Sequence, residues 1–254
     1  MLKVIYDLNE WVEIRKEAIR ENKLIGFVPT MGALHLGHRA LIERSRREND
    51  IVVVSIFVNP TQFNDANDLK KYPKTYDDDL EMLQECNVDY LIFPNYENMY
   101  PDNYHYKIIE DDFSTKLCGA SRPGHFDGVL TVVMKLLNII KPTCAYFGEK
   151  DYQQYKLIAG MVKAFFMDVE IVPCKTVRAE GGLALSSRNK LLTKDELKIA
   201  PLFNKFLSSN LSIPEIKMEL EKNGFKIDYI EEINNRRFGA VFLGKVRLID
   251  NVEI

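Results

Sequence analysis

Hydrophobic positions in the first two thirds of the chain follow two alternating patterns. Short runs rich in β-branched and aromatic residues read as buried strands: LIGFVP (24–29), IVVVSIFV (51–58), DYLIFP (89–94), CAYFG (144–148) and VEIVPC (169–174). Between them, segments 36–48, 75–86, 129–140 and 151–166 carry apolar residues every three to four positions, the spacing of helices with one buried face. Strand and helix in alternation predict a doubly wound α/β fold, a parallel sheet with helices on both faces. Beyond about residue 176 the pattern changes. Helical spacing over 194–209 and 213–222 precedes the strand-like runs FKIDYI, AVFLG and KVRLID, which predict a small α+β unit packed beside the first. The expected division is 1–176 and 177–254, with no repeat or flexible linker between them.

Open parallel sheets bind ligands beyond the carboxyl ends of their strands. Four chemically suggestive stretches each follow an expected strand: PTMGALHLGH (29–38), NPTQF (59–63), GEKDYQQ (148–154) and RAEGGLALSSRN (178–189). Loops from separate parts of the chain are therefore expected to meet in one crevice. Composition narrows what that crevice holds. The balance of 34 Lys+Arg against 37 Asp+Glu leaves a net charge of -3, so no global field draws nucleic acid or an anionic membrane. A small-molecule partner is expected instead. Cys86, Cys118, Cys144 and Cys174 form no CxxC pair and read as reduced thiols of a cytoplasmic protein. No apolar run approaches the roughly 20 residues that span a bilayer, and the opening MLKVIYDLNEWVEI lacks a signal-peptide core.

His35 and His38 lie three apart in a turn entering a helix. Zinc would need further ligands that neither the cysteine spacing nor an HExxH pattern supplies. Phosphate suits the turn better: imidazoles donate to phosphate oxygens, a helix start offers backbone N–H groups, and Gly37 permits close approach of a nucleotide. Ser186, Ser187 and Arg188 add hydroxyls and a planar guanidinium, the second half of a phosphate clamp. Lys150 adds a point charge, and Gln153 and Gln154 offer donors and acceptors to a polar substrate, although Asp151 heading an ordinary helix also fits GEKDYQQ. Asn59 and Gln62 end a buried strand, where amides need partners from substrate or from neighbouring backbone. Arg122 and His125 are further candidates, whereas Val129, Val132, Val133, Leu136 and Leu137 read as core. Asp77, Asp78 and Asp79 suit a solvated helix start; contact of Asp78 or Asp79 with a magnesium ion on ATP is the lesser alternative.

The succession PTMGALHLGH, FVNPTQF, YPKTYDDDL, RPGHFDGVLTVV, FGEKDYQQ, LALSSRN and RLIDN resembles the pantothenate synthetase family, chiefly over residues 24–190. HxGH alone is shared with the wider nucleotidylyl-transferase superfamily, whose members transfer a nucleotidyl group and stop there. The resemblance implies a Rossmann-like ATP- and pantoate-binding domain at 1–176 and a C-terminal lid at 177–254. It implies ATP and Mg²⁺, with pantoate and β-alanine as substrates joined through a pantoyl adenylate, and a homodimer. By position it assigns catalytic roles to His38 and His35, joined by Lys150 and Arg188. It assigns nucleotide contacts to Met31, Gly32, Ala33, Leu34, His35, Leu36, Gly37 and His38, to Gly148, Glu149, Lys150 and Asp151, and to Val177, Leu185, Ser186, Ser187 and Arg188. Gln62 and Gln154 match the pantoate contacts, with Asn59 and Arg122 beside them as substrate candidates. The chain departs from the family pattern in placing Gly181 where an acidic residue is usual, and its C-terminal part looks short for the family. A nucleotide-binding regulator with a decayed site is the rival of another class, but it would not require both histidines, Lys150 and the Ser-Ser-Arg triplet together.

Overall fold

The computed structural model describes residues 1–254, the side chain of Ala66 excepted. Strand β1 (Lys3–Ile5) and helix α1 (Leu8–Arg20) open the chain. The hydrophobic pattern does not flag this pair, because the strand is three residues long and α1 buries only Trp11 and Ala18. The five expected strands follow as β2 (Ile25–Thr30), β3 (Ile51–Ile56), β4 (Tyr90–Ile92), β5 (Cys144–Gly148) and β6 (Glu170–Cys174). All pair in parallel, in the order β1-β4-β3-β2-β5-β6.

Helix α2 (Leu36–Glu48) joins β2 to β3, and α3 (Ala66–Lys71) and α4 (Tyr76–Glu85) lead to β4. The long β4–β5 connection holds α5 (Tyr96–Met99), α6 (Cys118–Ser121) and α7 (His125–Ile140), and α8 (Tyr152–Ala164) leads to β6. Successive strand residues enter different cores, as a pleated strand requires. Val53 joins Trp11, Leu130 and Ile158 on one face, while Val52 and Val54 join Leu41, Ile42 and Leu83 on the other. The sheet is thus covered on both sides, as the doubly wound pattern predicts. From β2 the chain moves outward through β3 to β4, then returns to place β5 against the opposite edge of β2. That reversal makes the β2/β5 carboxyl ends the topological switch point, where such sheets open a ligand crevice.

Beyond β6, the single helix expected over 194–209 is divided into α9 (Lys194–Ile199) and α10 (Pro201–Leu207). Pro201 lacks the N–H that would continue α9, and it starts the next helix instead. Helix α11 (Ile213–Lys222) matches its expected bounds, and β7 (Phe225–Ile233), β8 (Arg236–Leu243) and β9 (Val246–Glu253) form an antiparallel sheet. AVFLG marks only the end of β8, because its start is charged: Arg237 is buried with its guanidinium on Glu232 and the Leu207 and Ser209 carbonyls. This region has its own apolar core, including Phe203, Leu207, Ile216, Leu220, Val241 and Leu243. Among the described residues, no helix is long and apolar enough to cross a membrane.

Candidate active site

The loop after β2 turns through Gly32 and Ala33, both at positive φ, before α2 begins. Its amides are already engaged. Gly32 N–H donates to Thr30 Oγ1 (3.1 Å), Ala33 and Leu34 N–H to the two oxygens of Asp79 (2.9 and 2.8 Å), and His35 N–H to His38 Nδ1 (3.3 Å). Gly37 N–H donates to His35 Nδ1 (3.1 Å). The free backbone donors expected of this helix start are therefore occupied at these five positions, and the imidazoles replace them. Because each Nδ1 accepts a backbone N–H, each neutral ring carries its proton on Nε2 and presents that donor. The rings lie 4.2 Å apart, centroid to centroid. Burial, reinforced by the charge of Lys150, pushes His35 down to about 4 and His38, which also feels His35, down to about 3, so both are neutral at physiological pH. A side chain at Gly37 would strike the His35 ring, its Cβ falling 2.7 Å from Cε1. Gly37 thus makes room for an imidazole while itself lining the cavity that both histidines face.

His35, Gly37 and His38 line a cavity of about 230 Å³ that also takes in Lys150, Val177, Leu185 and Ser186 to Arg188. Val129, Val132, Val133 and Leu136 form its apolar floor, so four of the five residues read as core also face this space. An adjoining cavity of about 430 Å³ lies between the parallel sheet and the C-terminal unit, reaching Arg122, Asp228 and Arg247. The two share Met31, Gln62, Lys150, Asp151, Gln154, Ser186 and Arg188. The structure therefore brings Lys150, Arg188, Gln62 and Gln154 together with both histidines, from four separate loops. Arg188 Nη2 donates to Asp68 (2.9 Å), and its guanidinium lies 5.9 Å from the Tyr72 ring centroid.

Other sequence candidates brace the site, and Asn59, Arg122 and His125 do so while also lining one of the two cavities. Asn59 is fully buried: its amide donates to the Gly128 carbonyl and to Gln62 Oε1, and its oxygen accepts from the Tyr100 hydroxyl (2.8 Å) and Thr61. Neighbouring groups, one of the two partners left open by the sequence, thus satisfy it, and it orients Gln62. His125 Nδ1 donates to the Gln62 carbonyl (2.8 Å), which also accepts from Arg122 Nη2 (3.1 Å), while Arg122 Nη1 donates to His125 Nε2 (3.0 Å). Burial, then the Arg122 charge, pushes His125 down to about 3. Burial beside Arg188 and Arg247 likewise lowers Arg122 to about 10. Gln153, expected to meet a polar substrate, is buried and bonded to Cys118 N–H and the Phe113 and Lys116 carbonyls. Asp151 makes no side-chain cap to α8 and faces both cavities instead. Ser187 Oγ donates to the Ala33 carbonyl (2.9 Å), so it fastens two loops. Gly181 sits at φ +91° in the tight turn of the 177–185 hairpin, a left-handed conformation that glycine adopts without strain.

Two roles were not legible in the sequence: Asp79, read as part of a solvated helix start, is buried instead, and Asn251 was given no role. Asp79 lies one helical turn before Leu83 on the buried face of α4, whereas Asp77 and Asp78 are exposed. Its spacing from Leu83 and Cys86 is the signal that separates it from its neighbours. Asn251 in β9 donates to the Glu149 and Lys150 carbonyls, both at 2.9 Å, beside an Asp250 carboxylate paired with Arg178. Only the RLIDN motif marks it in the sequence.

The family model described as pantoate-beta-alanine ligase matches residues 2–253. A pantothenate synthetase of Bdellovibrio bacteriovorus is 59% identical over 92% of this chain and 94% of its own length, and one from Coxiella burnetii is 53% identical over 99% and 97%. With such relatives matching nearly end to end, the C-terminal part is not short beside them. The crystal structure of a pantoate-beta-alanine ligase from Francisella tularensis, complexed with beta-gamma ATP and beta-alanine, superposes with a TM-score of 0.95 at 45% identity, covering 100% of this chain and 98% of that one. A pantothenate synthetase from Thermus thermophilus superposes at 0.88 with 39% identity over 99% of both chains. With the family model spanning residues 2–253 and relatives of this identity across the whole fold, the chain belongs to the pantoate-beta-alanine ligase family.

Proposed function

We propose that this chain condenses pantoate with β-alanine at the expense of ATP, through a pantoyl adenylate, releasing pyrophosphate and AMP. The observation that carries this reading is the shared wall of the two cavities. Gln62, Gln154, Lys150 and Arg188 face both, so a nucleotide in the histidine-lined cavity and an acid on its apolar floor meet where an amine can enter from the larger space. In the first step the pantoate carboxylate attacks the α-phosphorus and the bond to pyrophosphate breaks. The carboxylate is ionised at neutral pH, so the protein's task is alignment and charge stabilisation rather than proton removal. The Nε2–H groups of His35 and His38, with Lys150 and Arg188, donate to the phosphates, while the Gln62 and Gln154 amides orient the hydroxy acid. In the second step the amine of β-alanine attacks the acyl carbon, forming the amide and expelling AMP.

Magnesium enters this reading on the nucleotide. Among the described residues no three His, Cys, Asp or Glu side chains converge to hold a metal, and Mg²⁺ commonly binds through one or two carboxylates plus phosphates. Asp151, facing both cavities, is the carboxylate best placed to support it, and the ion would neutralise phosphate charge. Asp79 is taken up by the β2 loop. Residues 177–254 act as the lid in this reading, and the enzyme works in the cytoplasm as a homodimer, with a sedimentation mass twice the 29.4 kDa of one chain. The test is product release from ATP and Mg²⁺: pyrophosphate is expected to depend on pantoate, and AMP on β-alanine as well. Nucleotidyl transfer without amide formation would favour the transferase alternative, and ATP binding without turnover the decayed binder.

A further inference from the structure

We infer that Asp79 is the positioning residue of the β2 loop, holding Gly32 to Leu34 in the backbone path that sets both imidazoles at the cavity. Four observations converge on it. Its carboxylate is 3% exposed and takes three donors, Ala33 N–H at 2.9 Å, Leu34 N–H at 2.8 Å and Thr75 Oγ1 at 3.0 Å. The loop it grips contains two successive left-handed residues, Gly32 at φ +77° and Ala33 at φ +50°, and the second carries a Cβ that disfavours this conformation. Such a conformation persists only where its surroundings over-determine it. Thr75 precedes α4 without capping it, its hydroxyl being directed to Asp79 instead. From the opposite side Ser187 Oγ holds the Ala33 carbonyl, so the peptide units flanking Ala33 are gripped on both faces.

The consequence for chemistry follows from the chain's continuity. His35 begins one residue after Leu34, and its N–H and Nδ1 complete the pair of bonds that orient both rings. Releasing the Ala33 or Leu34 amide lets the turn relax toward negative φ, rotating the start of α2 and with it the two Nε2–H donors. Asp79 therefore acts through the histidines and does not touch substrate. The reaction consequence rests on the ligase reading above, whereas the grip on the loop does not.

The test is Asp79→Asn, which keeps the side-chain shape but replaces one acceptor oxygen with a donor. Pantoate-dependent pyrophosphate release is expected to fall in kcat by about 10- to 100-fold, by comparison with loss of a catalytic donor, with the KM for pantoate within about threefold. Asp78→Asn, on the exposed side of the same turn, is expected to stay within about twofold. Ala33→Gly in the Asp79→Asn background is expected to recover at least half of the logarithmic loss, because glycine takes a positive φ without the anchor. Thr75→Val is the milder variant, expected to lose about three- to tenfold and to be rescued in the same way if Asp79→Asn fails to fold. Amide hydrogen exchange at residues 32–35, measured without substrates, is expected to rise in both variants. Full activity with unchanged exchange, or a loss that Ala33→Gly leaves untouched and that follows the Tm alone, overturns the assignment. Raised exchange in a protein whose parent forms no pantothenate would retain the anchor and reject the ligase reading.

Discussion

Each imidazole of the HxGH turn is fixed by what its Nδ1 accepts: Gly37 N–H for His35 and His35 N–H for His38. The arrangement fixes the tautomer, and burial with Lys150 nearby keeps both rings uncharged. A neutral donor directed at developing phosphate charge needs no proton transfer to act. His38→Ala is therefore expected to reduce pantoate-dependent pyrophosphate release by about 100-fold, in line with removal of a preorganised donor. Because the two rings titrate near 4 and 3, the wild-type rate of this step should show no inflection from them between pH 5.5 and 8. An inflection near 6.5 that disappears in His38→Ala would instead show an imidazolium at work. The histidine positions, Lys150 and Arg188 were legible as residue types in a pattern. That Asn59, Arg122 and His125 brace Gln62 was not, because their partners lie up to 69 residues away.

At the scale of elements, the site depends on strands and helices that end at the same level. Asn251 on β9 reaches the Glu149 and Lys150 carbonyls, tying the C-terminal sheet to the short turn that carries Lys150. Removing two hydrogen bonds of about 1 kcal/mol each leaves that turn free to shift. Asn251→Ala is expected to raise the KM for ATP roughly tenfold, given a tenfold change per about 1.4 kcal/mol and partial replacement by water, with little change in the KM for pantoate. Steady-state kinetics with each substrate varied in turn checks it; equal changes in both would place the defect in folding. The strands β2 to β6 could be read from their apolar runs, and α2 and α11 from their periodicity. Helix α1 could not, since its partners at the sheet and α7 cover only a narrow stripe of it. The break at Pro201 was readable in principle, and the continuous apolar spacing on either side concealed it.

For the molecule as a whole, three histidines, His125 buried and His35 and His38 partly buried, make stability depend on pH. His35, His38 and His125 titrate near 4, 3 and 3 in the folded state, against an ordinary value of 6.5. As pH falls below about 6.5, the unfolded chain takes up protons that the folded chain refuses, so stability declines progressively until the folded-state values are reached. Above 6.5 both states are deprotonated at these rings and the effect vanishes. The Tm is expected to fall by roughly 5 °C or more between pH 7 and pH 5, the scale set by a few kcal/mol in a protein of this size. An unchanged Tm across that interval would mean that the rings protonate in place.

The sequence by itself determined the alternation of strands and helices, the loops that carry polar chemistry, and the family, because hydrophobic period and motif spacing are local properties of the chain. Tertiary structure alone decided the strand order that puts β2 beside β5, the bracing of Gln62 by Asn59, Arg122 and His125, and the anchoring of the β2 loop by Asp79 and Ser187. Those outcomes depend on contacts between residues 45 and 154 positions apart, where buried donors must find acceptors and no local pattern records which ones they find.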